Sequence, residues 1–350
     1  MSFLSFGQRS VDTWVDVRAK VGFLAAHRSS MAHLAKEIAY AGEISYLFQT
    51  KGHKAWHKAY KYPSLGVTAF FGSVGNDRVL GHYFGVFSFI NFPVARYNKY
   101  SLSVRLGCGL GYGTKYYKKN FPEDSATLYN VAIGSSINAQ ITAAIENKWT
   151  LGNHSISATV DFTHFSNGAA KVPNLGLNLP FVSLGYGYKI KSAIDTTEYT
   201  HEAYQKKWQF GLVGFASLKE VYPVGGRKYP VLGLNLVVRR FFRPKVAMEI
   251  SFDFISKQAI LAHQPDVKKT QDEIIQLGIF AGYVLPLDKF HFVLGMGVYV
   301  RDKYKPEDAL YHRVGMRYVF DNGININLVL KSHWARADYV EYGIGYTFRR

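Results

Sequence analysis

The chain of 350 residues lacks several features that assign proteins to familiar classes. It has one cysteine, Cys108, so it cannot form an intrachain disulfide framework, and we expect Cys108 to pack on an apolar strand face. It has no apolar run of about 18 residues or more, so the sequence predicts no transmembrane helix. No Pro- and Ser-rich linker or change of period divides it. These absences favour one continuous architecture.

Acidic residues are also scarce, with 25 Asp and Glu against 42 Lys and Arg, for a formal net charge of +17. Such a charge is compatible with binding to nucleic acid, but the sequence contains no recognisable nucleic-acid-binding module. We expect many of the cations, such as Lys115, Lys118, Arg239 and Arg240, to lie at strand ends and turns. We therefore expect contact with the anionic headgroups of outer-membrane lipids and no nucleic-acid partner.

Alternation of apolar and polar residues is the dominant pattern of the chain. Between residues 154 and 163, Ile156, Val160 and Phe162 share one face and small polar residues share the other, which is the period of a β-strand. About 16 segments follow this pattern. A soluble β-sandwich also alternates, but its polar face is richer in Lys and Glu than the Gly, Ser, Asn and aromatic residues found here.

Aromatic residues make up 16% of the chain, as expected for the aromatic girdles of a membrane barrel. We therefore predict an all-β fold, a single antiparallel transmembrane β-barrel of about 14 to 16 strands that spans residues 1–350. Residues 1–10 lack the basic start and apolar core of a signal peptide, so we expect a mature or engineered start, or a misplaced gene start. The closing segment alternates up to an aromatic residue, Phe348, as the last strand of bacterial outer-membrane barrels does. We therefore expect the protein to lie in the bacterial outer membrane.

Short connections alternate with long ones along the predicted barrel. The short ones include 242–245, and the long ones include 114–131 and 167–176. Because outer-membrane barrels have short periplasmic turns and longer external loops, we expect the loop at 167–176 to lie outside. Two long connections, 51–63 and 191–205, break the pattern, because the alternation places them on the periplasmic side, where short turns are expected.

A histidine and a serine interrupt the apolar face of one predicted strand. Continued alternation places His164 and Ser166 on the face of Phe162, where a purely structural strand would have apolar residues. The next segment, 177–190, begins its own apolar face with Asn178. We expect the intervening loop to return this amide to the neighbourhood of the imidazole and the hydroxyl.

A hydroxyl, an imidazole and an orienting polar group are the components of a nucleophilic acyl-transfer site. We predict that Ser166 attacks an ester carbonyl, that His164 accepts the serine proton and passes it to the leaving alcohol, and that Asn178 holds the imidazole tautomer. An enzyme of this kind is a carboxylic ester hydrolase.

The loop after the serine offers donors for the oxyanion. We expect the backbone N–H groups of Asn167 and Gly168 to bind it, together with the amide of Asn174. Histidines elsewhere, such as His53 and His57, lack the spacing of a metal motif, so we expect neither a metal nor a cofactor.

The segment HFSNGAAKVPN resembles the signature of the lipid A 3-O-deacylase family of PagL type, also called acyloxyacyl hydrolases. The resemblance covers the family's histidine at His164, its nucleophilic serine at Ser166, the next asparagine at Asn167, and the loop pair Pro173 and Asn174. It implies an outer-membrane β-barrel with a lipid-facing Ser, His and Glu triad that acts on lipid A, the membrane anchor of lipopolysaccharide.

The resemblance covers residues 20–190, a deacylase-like part whose last strand resembles the end of the family's smaller barrel. Residues 191–350 would then be additional barrel strands, similar to those of longer members from Bacteroidetes-type bacteria. The implied partners are lipid A or lipopolysaccharide and the lipids of the outer membrane.

The sequence departs from the family pattern at the glutamate, where it has Asn178. A carboxylate stabilises the imidazolium by charge, whereas an amide only orients it, so we expect weak or specialised esterase activity. Asp161 and Glu146 cannot substitute, because strand parity points both into the lumen. The alternative is a catalytically inactive barrel that acts as a pore or as a component of a larger membrane assembly.

Overall fold

The structure is a computed structural model, and it describes residues 11–119, 125–192, 199–201, 203–334 and 336–349. The segment 1–10, for which the sequence predicts no export signal, lies outside the described residues. Within the described ranges the chain forms 16 strands, numbered β1 to β16 in chain order. Among the described residues, no helix is long and apolar enough to cross a membrane.

Eight strands form a first closed barrel in which each strand pairs antiparallel with the next. They are β1 (Thr13–Phe23), β2 (Ile38–Gln49), β3 (Ser64–Ser73), β4 (His82–Tyr97), β5 (Tyr100–Gly113), β6 (Ile137–Leu151), β7 (His154–Ser166) and β8 (Leu177–Lys191). The barrel closes because β8 pairs back on β1, with Val17 opposite Tyr186.

The other eight strands form a second closed barrel. They are β9 (Lys207–Glu220), β10 (Lys228–Arg243), β11 (Val246–Lys257), β12 (Ile275–Leu287), β13 (Phe290–Arg301), β14 (Leu310–Val319), β15 (Ile324–His333) and β16 (Arg336–Arg349). This barrel closes through pairing of β16 with β9, where Ile344 lies opposite Gly214.

Short helical segments lie in the connections of both barrels. The connection at 51–63 contains the α-helix α1, and single-turn 3₁₀ segments occur elsewhere. Their bounds are Ala55–Ala59 for α1, and Ser29–Met31, Ser125–Tyr129 and Gln258–Ala262 for the 3₁₀ segments.

The prediction of an all-β antiparallel fold is confirmed, but the prediction of a single barrel is wrong. Alternation along a strand reports which residues share a face, and it carries no information about which distant strand completes the sheet. Both halves of the chain show the same alternation, so no local sequence feature indicates that β8 pairs with β1. The long 191–205 connection joins the two barrels, which explains why it breaks the turn pattern.

By compactness the chain divides into two units. The first comprises residues 1–166 and 176–201, and the second comprises residues 167–175 and 202–350. Each unit contains one of the closed barrels. The residues 167–175 between β7 and β8 group with the second unit.

The first barrel has a charged interior. The Lys20 Nζ donates to Glu43 Oε1 at 2.7 Å and to Asp161 Oδ1 at 3.0 Å, while the Arg105 Nη2 donates to Glu146 Oε2 at 3.0 Å. All five side chains are buried. The predicted inward orientation of Asp161 and Glu146 is therefore confirmed, and both carboxylates are held by cations in the lumen.

The second barrel has the same polar interior, where Arg313 donates to Asp253 at 2.7 Å and to Glu341 at 2.9 Å. The outward faces of both barrels are apolar: Leu184 is 70% exposed in the first, and Ile344 is 71% exposed in the second. Charge inside and large apolar side chains outside reverse the distribution of a soluble protein.

An aromatic cluster fills the lumen of the first barrel at the end of β7. The Phe165 ring is fully buried there, with its centroid 5.7 Å from that of Phe70 and 4.8 Å from that of Tyr83. Gly111 leaves space for it, because a Cβ at this glycine would lie 2.5 Å from Phe165 Cε1. Since strand residues alternate, this inward anchor fixes both neighbours of Phe165 on the outward face.

Candidate active site

His164 and Asn178 are direct cross-strand partners on β7 and β8. The Nδ1 of His164 lies 2.6 Å from the Oδ1 of Asn178. An amide oxygen only accepts hydrogen bonds, so Nδ1 donates in this pair, and in the neutral imidazole the Nε2 then carries the lone pair. This is the tautomer that a histidine needs to accept the proton of a serine hydroxyl.

Ser166 is the last residue of β7 and lies two positions after His164, on the same face. That face also carries Phe162, whose side chain is 44% exposed, whereas Phe165 between the two polar residues is buried. His164, Ser166 and Asn178 are each half-buried. The structure thus places all three on the outward face, as the alternation predicts, with their catalytic roles still a prediction.

Gly176 provides the space that the imidazole occupies, and no sequence pattern indicates this role. Its φ is +81°, and a Cβ there would lie 2.6 Å from His164 Cε1 and 3.3 Å from His164 Nε2. The Gly176 N–H donates to the carbonyl of Ala132 at 2.9 Å, which ties this backbone to the connection before β6. A side chain at residue 176 would therefore both strain the backbone and displace the ring.

His27 is a second residue of the site that no sequence pattern indicates. It follows β1, and its Nδ1 lies 2.9 Å from the Nδ2 of Asn178. The same connection also holds the backbone of Asn178, because Ala25 N–H donates to the Asn178 carbonyl at 2.8 Å. Only the closure of β8 on β1 brings His27 here, so no local motif could have indicated it.

The predicted oxyanion residues lie in the segment 167–175, and two of them contact each other. The backbone N–H of Asn167 donates to Asn174 Oδ1 at 3.0 Å, and the Asn167 Nδ2 donates to the Lys171 carbonyl at 2.8 Å. Gly168 follows with a φ of +64°, in a turn closed by a hydrogen bond from Ala170 N–H to the Asn167 carbonyl. The segment is therefore an ordered turn rich in amide groups.

A second group of potential ligands lies in the other barrel. Glu307, His333 and Asp338 hold ligand atoms within 4.8 Å of one another. Lys257 donates to Glu307 at 2.6 Å and to Asp338 at 2.9 Å, and Lys219 also pairs with both carboxylates. Burial and the Asp338 charge oppose ionisation of Glu307, but Lys257 and Lys219 outweigh both and hold its pKa below the usual value. Two lysines thus neutralise the two carboxylates.

Two family models match the chain. The model described as lipid A 3-O-deacylase (PagL) matches residues 40–189, which include His164, Ser166 and Asn178. The model described as acyloxyacyl hydrolase, C-terminal domain, matches residues 207–350. Together they cover most of both barrels.

No curated protein matches the chain. Among solved structures, two mutants of the Rhodopseudomonas blastica porin are each 9% identical, with 97% of this chain and 100% of the porin covered and a TM-score of 0.19. A structure titled "Asymmetric conductivity of engineered proteins" is 8% identical over the same shares, with a TM-score of 0.20. At these TM-scores the likeness carries no argument about fold or function.

Proposed function

Because the chain belongs to the PagL-type family of lipid A 3-O-deacylases and acyloxyacyl hydrolases, we propose that it is a serine esterase of the bacterial outer membrane that removes an ester-linked acyl chain from lipid A. The observation that carries the proposal is the hydrogen bond from His164 to Asn178, at 2.6 Å. It leaves the imidazole Nε2 as a base on the same strand face as Ser166.

Residues 20–190 form the deacylase part in this proposal, because they carry the nucleophile, the base and the amide. Residues 191–350 add the second barrel, an extension of the kind found in long, Bacteroidetes-type members. The partners are lipid A or lipopolysaccharide and the surrounding outer-membrane lipids.

The surfaces of both barrels support the membrane location. Large apolar side chains cover the outward faces, among them Val160 at 62% exposure and Leu184 at 70%. Such faces are compatible with a hydrocarbon environment and unfavourable in water. A polar trio on the outward face meets a lipid ester without extracting the lipid from the bilayer. The net charge of +17 favours binding of the phosphate-bearing headgroup of lipid A.

The proposed reaction has two half-reactions. In the first, Ser166 Oγ attacks the ester carbonyl carbon while its proton moves to His164 Nε2. In this proposal the tetrahedral oxyanion binds the backbone N–H of Gly168 and the side-chain amide of Asn174, and the backbone N–H of Asn167 joins them only by leaving Asn174 Oδ1. When the intermediate collapses, the bond between the acyl carbon and the sugar oxygen breaks. The departing sugar oxygen takes the proton from His164 and leaves as a hydroxyl.

In the second half-reaction, water attacks the acyl group on Ser166 and His164 accepts a proton from the water. Collapse of the second intermediate returns the proton to Ser166 Oγ and releases the fatty acid. Asn178 orients the imidazole throughout, but it supplies no negative charge to the imidazolium. Replacing the aspartate of a serine protease triad by asparagine costs about 10⁴ in rate, so turnover here should be slow.

The alternative of an inactive pore or assembly component has less support. The Phe165, Phe70 and Tyr83 rings block the lumen of the first barrel at the end of β7, and a cavity of about 310 Å³ lined by Glu146 and Lys148 lies further along it. An eight-stranded barrel has an interior just wide enough for side chains, which disfavours conduction. The polar trio on the outward face is also without a purpose in that alternative, since polar groups at the hydrocarbon rim cost stability.

Labelling with a serine-reactive, lipid-like phosphonate tests the proposal. We expect stoichiometric modification of Ser166 in the full chain, and none in Ser166→Ala. The matched control is Ser157→Ala, which removes a lumen-facing serine from the same strand and should label as the parent does. Absence of labelling in the parent, or equal labelling in Ser166→Ala, would favour the inactive barrel.

A further inference from the structure

We propose that His27 is a positioning residue of this site: it fixes the orientation of the Asn178 amide, and thereby the tautomer of His164. The inference rests on the proposed function, because it concerns how the same base is kept in its productive form. It follows from two hydrogen bonds on the two ends of one amide. His164 Nδ1 lies 2.6 Å from Asn178 Oδ1, and His27 Nδ1 lies 2.9 Å from Asn178 Nδ2.

An amide in the third position of a triad has a weakness that a carboxylate does not have. Its two ends have nearly the same shape, but one accepts hydrogen bonds and the other donates them. If the Asn178 amide turned over, Nδ2 would donate to His164 Nδ1, and the imidazole proton would have to move to Nε2. A protonated Nε2 cannot accept the proton of Ser166, so the site would be inactive.

In its Nε2–H tautomer, His27 accepts a hydrogen bond from Asn178 Nδ2 at its own Nδ1, and this pairing selects one orientation of the amide. An acceptor at this point favours the amide orientation in which Nδ2 faces His27 and Oδ1 faces His164. The His27 side chain is exposed, so its Nε2–H can be solvated while Nδ1 remains the acceptor. The connection is also held in place, since Ala25 N–H donates to the Asn178 carbonyl at 2.8 Å. A glutamate at residue 178 would need no such partner, because both of its oxygens accept.

The test uses variants at residue 27 that only accept or only donate, made in the full chain. His27→Asp keeps an acceptor and should retain the parent kcat. His27→Lys presents only donors, favours the inverted amide, and should lower kcat about tenfold or more, with His27→Ala between the two. Ser30→Lys adds the same charge to the same connection and serves as the control, with kcat expected at the parent value.

The decisive comparison repeats these variants with Asn178→Asp, whose carboxylate accepts in either orientation. In the Asn178→Asp background, His27→Lys should leave kcat unchanged, because a donor at residue 27 can no longer turn an amide nitrogen toward His164. A purely structural role for His27 predicts the same loss in both backgrounds, and that result would overturn the inference.

The tautomer of His164 is read separately by ¹⁵N NMR of histidine-labelled protein in detergent micelles, with the signal assigned through His164→Gln. We expect a protonated Nδ1 in the parent and a protonated Nε2 in His27→Lys. An unchanged tautomer overturns the inference even if the protein hydrolyses lipid A. If His27→Lys changes the tautomer of His164 but the parent protein does not hydrolyse lipid A, the positioning role of His27 holds and the proposed function is wrong.

Discussion

At the scale of single residues, the proposed catalysis depends most on Asn178. Its Oδ1 holds the Nδ1–H of His164, so the imidazole is oriented as in a complete triad. The amide provides no charge, however, and the imidazolium formed during attack is stabilised less than beside a carboxylate. The outward placement of both side chains could be predicted from alternation alone. Their proximity could also be predicted, from the short loop that returns Asn178 beside His164, but the direct cross-strand pairing of the two residues could not.

Substitution of Asn178 tests the orienting role. We expect Asn178→Glu to raise the rate of fatty-acid release from lipid A, because it adds charge beside the imidazole. Asn178→Ala should lower the rate, because the ring is then free to rotate. Both differences should appear wherever the imidazole is unprotonated and can act as a base. Equal initial rates for Asn, Glu and Ala in micellar assays would mean that residue 178 has no part in catalysis.

Gly176 offers a second test at this scale. Gly176→Ala should lower kcat by about tenfold or more, because its Cβ would lie 2.6 Å from His164 Cε1 and push the ring from the serine. Gly152→Ala is a matched control: that glycine also has a positive φ, +62°, but a Cβ there meets nothing within 4 Å. If the two variants lose activity equally per folded molecule, backbone strain is the cause and contact with His164 is not.

At the scale of the element, strand β7 links the packing of the lumen to the direction of side chains on the outer surface. The strand period places Phe165 inside and its two neighbours outside, and this much could be predicted from the sequence. The packing partners of Phe165 could not be predicted, because Phe70 and Tyr83 come from β3 and β4, which are distant in the chain. The packing of one ring in the lumen therefore sets the direction of His164 and Ser166.

Phe165→Ala should destabilise the protein by about 3–5 kcal/mol, the usual cost of truncating a fully buried phenylalanine. Denaturant unfolding in detergent, followed by tryptophan fluorescence, measures the change. The control Phe162→Ala truncates the outward ring of the same strand, which is 44% exposed, and should cost less than about 1 kcal/mol. A similar loss in both variants would show that Phe165 is not an anchor.

At the scale of the whole molecule, the class and the strand number could be predicted, whereas the closure could not. The polar and apolar faces alternate alike in both halves of the chain, and Tyr186 gives no local sign that its partner is Val17 on β1. For the same reason, the sequence could not place His27 beside Asn178. In one large barrel β1 would pair with the last strand, and His27 would not be expected beside Asn178.

Cysteine cross-linking tests the closure after eight strands. In a Cys108→Ser background, the pair Val17→Cys and Tyr186→Cys should oxidise to an intramolecular disulfide, because these residues are direct partners. The pair Val17→Cys and Ile344→Cys should not, since Ile344 is paired with Gly214 on β9. Gel mobility before and after reduction distinguishes the products. Efficient oxidation of the second pair and none of the first would indicate one large barrel.

The central claim is that Ser166 is the nucleophile of a lipid A deacylase, and mass spectrometry of lipid A tests it most directly. Lipid A is extracted from a Gram-negative host that lacks such an enzyme, after expression of the parent protein or of Ser166→Ala. We expect the parent to yield lipid A that has lost one ester-linked acyl chain. We expect Ser166→Ala to leave lipid A intact while still migrating as a folded, heat-modifiable barrel. Intact lipid A from cells with the folded parent, or full deacylation by Ser166→Ala, would contradict the account.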